Sequence, residues 1–397
     1  MPHERARGSC EATPCAEDWG RHDRNSRVLP LINTDPVSLS RQFLFWQKPR
    51  IVAIPVCNEQ EHIIPCLLAL AAQKHLPHRV VLWINNTTDE TDNRAHSLAH
   101  RLPFKLETVT VSYPPSIASA GQARRDAMAY VAKTASSDAI LLTTDADSEV
   151  AGDWIDSILK AFIQYPVEAV FGRVLLLPEE YRKIPPHLHE DEKLERAYGA
   201  ILDQIGLLAN PEPHDPWPRH LEHSGASIAV TREAWNRVGG IPGVPSGEDR
   251  AFAKVLRQNG IAVRHAPQVK VYVSARLQGR ARGGMAETLA RRLIAQDEYI
   301  DDAFEPVSRR LLRLRRERTY WQSQSSCLDI SYPDLPVVCI RRNDLQQHHE
   351  RALRVLKRLR QLKQRLPKKF PIETAGQYDI PFPALTAPES SVFHDRP

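Results

Sequence analysis

From Arg50 onward, short apolar runs alternate with segments of helical periodicity. "RIVAIPV" (50–56) is apolar, β-branched and stopped by a polar turn, which predicts a buried strand. "EHIIPCLLALAAQ" (61–73) repeats apolar residues at helical spacing, with Pro65 tolerable in a first turn. "RVVLWIN" (79–85) predicts a second strand closed by the turn-forming "NNTTDET", and "DNRAHSLAHRL" a helix after it. "FKLETVTV" (104–111) alternates as a strand, and "AGQARRDAMAYVAKTA" (120–135) reads as a helix entered through Gly121. "DAILLTT" (138–144) is another buried strand. Asp153 is placed to cap the helix "WIDSILKAFIQY", whose Trp154, Ile155, Ile158, Leu159 and Phe162 share one face. "VEAVFGRVLLL" (167–177) predicts a further strand.

Strands alternating with helices imply an α/β fold: a mainly parallel central sheet with both faces covered. Ligands of such sheets bind outside the carboxyl ends of the strands. That places "VCNE", "NNTTDET" and "TTDAD" on one rim.

The pattern breaks over 178–222, a stretch dense in Pro, His and acid, with a helix expected around 190–208 between loops. Long insertions are often lids. Regularity returns over 224–260: a strand, a helix at 232–238, a Gly/Pro loop and a helix at 248–258. The C-terminal third is helical and basic, in "SRRLLRLRRERTYW" (308–321) and "ERALRVLKRLRQLKQRL" (350–366), with a Pro-rich tail. Residues 1–48, rich in charge, Pro and Ser, read as a mobile arm.

The chain has 397 residues, 42% hydrophobic and 25% charged, enough to bury a sizeable core. Its net charge of +5 suits an anionic ligand or membrane surface and does not by itself argue for nucleic acid. None of the six cysteines forms a C-x-x-C pair, which speaks against a zinc ribbon. No secretory apolar region and no run long enough to span a bilayer is evident, so a cytoplasmic protein with reduced thiols is expected.

Asp145 and Asp147 end the strand 138–144. Carboxylates two apart on a turn suit a hard cation, Mn²⁺ or Mg²⁺, which takes one or two carboxylates plus phosphate oxygens. A solvated turn is the plain alternative. Glu248 and Asp249 open a helix, either favouring its dipole or offering a general base. Arg124 and Arg125 lie near a helix start, and Arg276, Arg280 and Arg282 stand among glycines, where guanidinium groups match phosphate. Singly they are uninformative. His220 with His223, and His187 with His189, have spacings seen in zinc sites, but no cysteine is near.

The order of these signals is more specific than any one of them. "IPVCNEQEHI", "NNTTDET", "GQARRDAM", "TTDADSEVAGDWI" and "SGASIAVTREAWNRVGGIPGVPSGEDRAF" resemble, in sequence order, the motifs of family 2 glycosyltransferases. The resemblance covers about 49–284 and implies the GT-A fold, with a nucleotide-binding half (49–150), an acceptor half (151–284) carrying a lid-like insertion (178–222), and a helical basic extension (285–397) outside it. It implies a hexosyl-type transfer from a UDP- or GDP-sugar to an unidentified acceptor hydroxyl, metal-dependent, inverting and non-processive. Asp147 would be the direct metal ligand, with Asp145 on the ribose or completing the shell. Pro55, Val56 and Glu59 would hold the nucleoside, with Asn85, Asn86 and Asp89 on the same rim. Arg124 or Arg125 would face the diphosphate, and Arg280 and Arg282 would close over it or bind an anionic acceptor. Asp249 would be the base, with Glu248 as the alternative.

Three departures from the family stand out. Ile84 occupies the place where many relatives carry an aspartate that reads a uracil edge. Ser274 stands where a late metal-binding histidine is sought, with His265 a weak substitute. The Q-x-x-R-W signature of processive synthases is absent. Two rivals remain: a nucleotidyltransferase, which would carry a Gly-rich basic loop after the first strand where "PVCNEQEH" stands, and a non-catalytic nucleotide-sugar-binding scaffold. The basic C-terminal helices either pack on the catalytic domain or lie on an anionic membrane.

Overall fold

The computed structural model describes residues 44–276, 285–294, 298–301, 304–325 and 335–365. The proposed arm therefore lies outside the described residues except for its end, where 44–47 form a helical turn. Phe45 stacks on Phe162 with ring centroids 5.6 Å apart, and Trp46 lies against His75. The packed core thus starts just before Arg50.

One 8-stranded sheet organises the molecule. Its strands are β1 (Arg50–Val56), β2 (Arg79–Asn85), β3 (Lys105–Val111), β4 (Ile140–Thr143), β5 (Ser148–Val150), β6 (Ala169–Leu176), β7 (Ile228–Thr231) and β8 (Val263–Val273). They run in the order β3-β2-β1-β4-β7-β6-β8-β5. The first four are parallel. β7 is antiparallel to β4 and β6, β8 is parallel to β6, and β5 is antiparallel to β8. The mainly parallel sheet is the one expected.

Alternation in β1 explains why both faces are covered. Val52, Ile54 and Val56 enter one core with α1 (Ile63–Ala71) and α4 (Trp154–Gln164). Ile51 and Ala53 enter the other with α3 (Ala120–Thr134), α7 (Arg232–Val238) and α8 (Glu248–Gln258). α2 (Thr91–Ala99) joins β2 to β3. Ser119 caps α3, its side chain accepting from the Gln122 N–H, so that helix starts ahead of Gly121. Asp153 does sit at the N-cap of α4, but its carboxylate accepts from the Ser157 hydroxyl and makes no side-chain cap to the backbone.

Two strands escape a sequence reading. β5 is three residues long and exists through its pairing with β8. β8 contains Arg264 and His265, which interrupt its apolar pattern and are paired in the fold by Asp215.

The insertion is largely one helix. After the short α5 (Pro178–Tyr181), α6 runs from Pro186 to Ala209, longer at its start than expected. Its Tyr198, Ile201, Leu202 and Ile205 form a third core with residues of α10 (Val307–Ser325) and α11 (Leu345–Arg365), including Leu311, Leu356 and Leu359. Gly199 lets Phe304 approach so closely that a Cβ there would lie 2.7 Å from the ring. Each such aliphatic burial is worth about 1.5–3 kcal/mol. α9 (Met285–Leu293) precedes them. The basic helices therefore pack: Arg310 and Arg313 of α10 turn in to the buried Glu305, and the charges of α11 face outward. Among the described residues no helix is long and apolar enough to cross a membrane.

Candidate functional site

The carboxyl ends of β1, β2 and β4 lie side by side, since Val56 pairs with Ile84 and Ala53 with Thr143. Because β7 runs antiparallel to β4, with Thr143 opposite Ile228, the residues entering β7 return to the same rim. Strand polarity alone thus brings the turns after β1, β2 and β4 and the 224–227 segment together.

Two turns build one wall. Asn58 and Asn86 adopt positive φ (54° and 48°), which asparagine tolerates. The Asn58 Oδ1 accepts from the N–H groups of Thr88 (2.8 Å) and Asp89 (3.3 Å). Asn86 pairs its amide with the Tyr113 backbone, donating to the carbonyl (2.8 Å) and accepting from the N–H (3.0 Å). Asp89 accepts from the Gln60 N–H (3.2 Å), the Thr91 N–H (3.1 Å) and the Thr91 hydroxyl. Asp89 is on the rim, but its carboxylate fastens the two turns to each other. Asn85, like Val56, is buried at the strand end.

Arg124 is the strut of the site. It is 4% exposed and donates to Asp145 and, at 2.6 Å, to Glu248. Burial works against its charge, but Asp145 and Glu248 outweigh burial and raise its pKa. The Glu248 carboxyl is raised chiefly by burial, against the pull of Arg124. Gly225 gives the guanidinium room: a Cβ there would lie 2.3 Å from Cζ. The Gly225 N–H donates to Asp249 Oδ2 at 3.0 Å. One buried cation thus links Asp145, after β4, to the turn that holds Asp249. Arg125 points elsewhere, onto the backbone of Gly243.

Asp147 meets Arg276. The guanidinium donates to both Glu59 oxygens (2.8 and 2.9 Å) and lies 2.7 Å from Asp147 Oδ2. Burial first, and then the charge of Asp145, pushes the Asp147 carboxyl up to about 6. Glu59, 5% exposed, also pairs with His62 at 3.1 Å, which raises the His62 pKa. Arg276 was one of three arginines in a Gly-rich run, and nothing in the sequence singles it out. The fold does, because Ser148 pairs with Val273 and so carries the residues after β8 past Asp147. Arg280 and Arg282 lie outside the described residues.

The place of the family's late histidine and its weak substitute His265 both hold other contacts. The Ser274 hydroxyl donates to Glu180 at 3.2 Å. His265 faces Phe171, along β8 from Asp147, with Nδ1 2.7 Å from Asp215 and Nε2 3.0 Å from His223 Nε2. His220 lies edge-on to His265 at 5.7 Å. Among the described residues no three His, Cys, Asp or Glu side chains are arranged to hold a metal, so the zinc spacings give no cage. Asp145 and Asp147 offer two carboxylates, and the charge of Asp145 beside the buried Asp147 favours a cation. That donor set fits Mn²⁺ or Mg²⁺ shared with phosphate oxygens and does not fit a cation held by protein alone.

Among curated proteins none matches this chain. Solved structures similar to it include glucosyl-3-phosphoglycerate synthase from Mycobacterium tuberculosis in complex with Mn²⁺, UDP-glucose and phosphoglyceric acid. That match has 14% identity over 65% of this chain and 83% of the other, with a TM-score of 0.40. S. aureus TarS 1-349 in complex with UDP-GlcNAc is 14% identical over 78% of this chain and 81% of the other, with a TM-score of 0.42. It is residues 51–216, the stretch that carries β1 to β6, both rim turns, Asp145 and Asp147, that match the model of the family described as Glycosyl transferase family 2.

Proposed function

We propose that this protein is a glycosyltransferase that moves a sugar from a UDP- or GDP-sugar to an acceptor hydroxyl, by direct displacement with inversion and one sugar at a time. The observation that carries this reading is the strut of Arg124, which joins Asp145 to the Glu248–Asp249 turn across one rim. The organisation proposed with it is a GT-A domain over 49–284, with halves 49–150 and 151–284, and a helical extension over 285–397.

The wall of Pro55, Val56, Asn85 and Asn86 would seat the nucleoside, already ordered by the side-chain bonds of Asn58, Asn86 and Asp89. Asp147 and Asp145 would hold a divalent cation together with the donor diphosphate. Such a cation, when bound, supplies Lewis-acid stabilisation of the leaving group. Asp249 would accept the acceptor's proton as its oxygen bonds to the anomeric carbon and the nucleoside diphosphate departs with the electrons of the broken bond. Glu248 is the poorer candidate, since it is ion-paired with the buried Arg124, whereas Asp249 accepts from the backbone N–H groups of Gly225 and Arg250.

A membrane role would be electrostatic. The apolar side of α11 is buried on α6, whereas Arg351, Arg354, Lys357 and Arg358 are exposed.

The test is a donor-hydrolysis and transfer screen across sugar nucleotides with Mn²⁺ and Mg²⁺. Asp249→Asn is expected to lose at least ~100-fold in turnover, within the usual contribution of a general base. Near wild-type turnover in that variant would remove the base assignment. Tight nucleotide binding that survives both EDTA and Asp147→Ala would remove the metal role.

A further inference from the structure

We infer that Arg276 is a built-in counter-cation that locks the donor site until a diphosphate releases it. The inference rests on the glycosyltransferase reading above and adds to it a coupling between two ligands.

Three observations carry it. First, Arg276 spends its guanidinium on the same carboxylate, Asp147, that would bind a divalent cation, at 2.7 Å. A divalent cation and a guanidinium on one carboxylate repel each other, so the two compete for its charge. Second, the lock is anchored. Arg276 makes a two-pronged contact with Glu59, itself nine-tenths buried, and such forks hold a guanidinium in one orientation. Third, Glu59 keeps a second partner: His62 Nδ1 is 3.1 Å from Oε2. Glu59 is therefore not stripped of every partner when Arg276 leaves.

A nucleoside diphosphate changes the competition. Its phosphates offer the planar guanidinium paired acceptor oxygens and more negative charge than Glu59. Arg276 would move from carboxylate to phosphate, and Asp147 would be freed in the same event. Nucleotide then strengthens cation binding, and by linkage the cation strengthens nucleotide binding by the same factor. Arg124 cannot play this part. It is buried between Asp145 and Glu248 and packed against Gly225, whereas Arg276 is at the site's edge, its side chain 22% exposed.

The consequence is a pair of effects with opposite signs in one variant. Mn²⁺ binding to the full-length chain is measured by the electron paramagnetic resonance of free Mn²⁺, and nucleotide binding by calorimetry with UDP and with GDP. In Arg276→Gln without nucleotide, Mn²⁺ is expected to bind about tenfold tighter or more, the factor set by one charge-assisted contact removed from its competitor. In the same variant UDP or GDP binds about tenfold weaker, and the enhancement of Mn²⁺ affinity by nucleotide shrinks toward one. Arg276→Lys, which keeps the charge but not the fork, falls between, and serves alone if the glutamine variant does not fold. Arg101→Gln removes an equal charge from an exposed position after α2 and leaves Mn²⁺ affinity unchanged.

An Arg276→Gln protein, or a lysine variant, that binds Mn²⁺ no tighter than wild type, while nucleotide and Mn²⁺ still bind, overturns the lock and leaves the glycosyltransferase reading standing. Equal tightening by Arg101→Gln overturns it too, as a general charge effect. Proteins that take up no Mn²⁺ even with UDP or GDP overturn the metal role itself, and the lock with it.

Discussion

Replacing Gly225 by alanine tests the strut at the centre of the site. The added Cβ would lie 2.3 Å from the Arg124 Cζ and 2.5 Å from its Nε and Nη1. The tip of an arginine is flexible, and on a surface it would swing aside at little cost. Here it is 4% exposed and gripped by Asp145 and Glu248, so any swing lengthens those contacts. Charge-assisted hydrogen bonds contribute about 1.5–3 kcal/mol each. Losing one and weakening the other should cost about 2–4 kcal/mol, a large share of the ~5–15 kcal/mol that stabilises a typical protein. Urea denaturation of wild type, Gly225→Ala, Arg124→Met and the double variant forms a cycle that isolates the contact. Arg124→Met should lose about 3–5 kcal/mol, because it strands two carboxylates in a poorly solvated place. With the guanidinium gone, the alanine should add less than ~1 kcal/mol. If Gly225→Ala costs as much in the Arg124→Met background as in wild type, the damage lies in the backbone and the strut reasoning is wrong.

Two further outcomes follow from the packing around the insertion. Glu212, half-buried, is held down to about 2, Arg257 and then Arg219 overcoming the opposing effect of its partial burial. A carboxyl with a depressed folded pKa stabilises above its unfolded value of ~4.3 and loses that contribution as pH falls toward 2. Glu212→Gln should therefore cost about 2–3 kcal/mol at pH 7, and the difference from wild type should fade between pH 4.5 and 2 in acid titrations of stability; a gap that persists at pH 2 would exclude the ion pair as its cause. A chain cut after residue 300 loses Val307, Leu311, Leu345, Leu356 and Leu359 from the core around α6. That uncovers apolar surface worth roughly 1.5–3 kcal/mol per side chain, so the truncated protein should aggregate or bind a hydrophobic dye, and a monomeric, dye-negative fragment of wild-type stability would refute the packing account.

The legible parts of this molecule are those where local pattern and tertiary role agree. β1, β2 and β4 are apolar runs that stop at polar turns, and they form where the pattern placed them. The order of motifs from Pro55 to Asp249 also survives as a shared rim. What stayed hidden is set by distant partners. β8 carries Arg264 and His265 in its interior, and partners some fifty residues earlier, Asp215 with the carbonyls of Pro216 and Pro218, make that pattern compatible with a buried strand. Asp89 looked like a ligand because it is acidic and on the rim, yet its oxygens close the turns. Arg276 looked like one of several loop arginines, and its role depends on the β5–β8 pairing, which a three-residue strand cannot announce.

Asp215 has one more implication. Its two oxygens accept from Arg219, from Arg264, and from both the backbone and the ring of His265, while Arg219 reaches on to Asp203 in α6. A single buried carboxylate thus ties the insertion, its helix and β8 into one charge-balanced knot. None of these groups can leave alone without stranding another in the dark of the core. Amides of α6 and of the middle of β8 should therefore exchange with solvent together, as one cooperative unit, rather than as a flap opening over a fixed sheet.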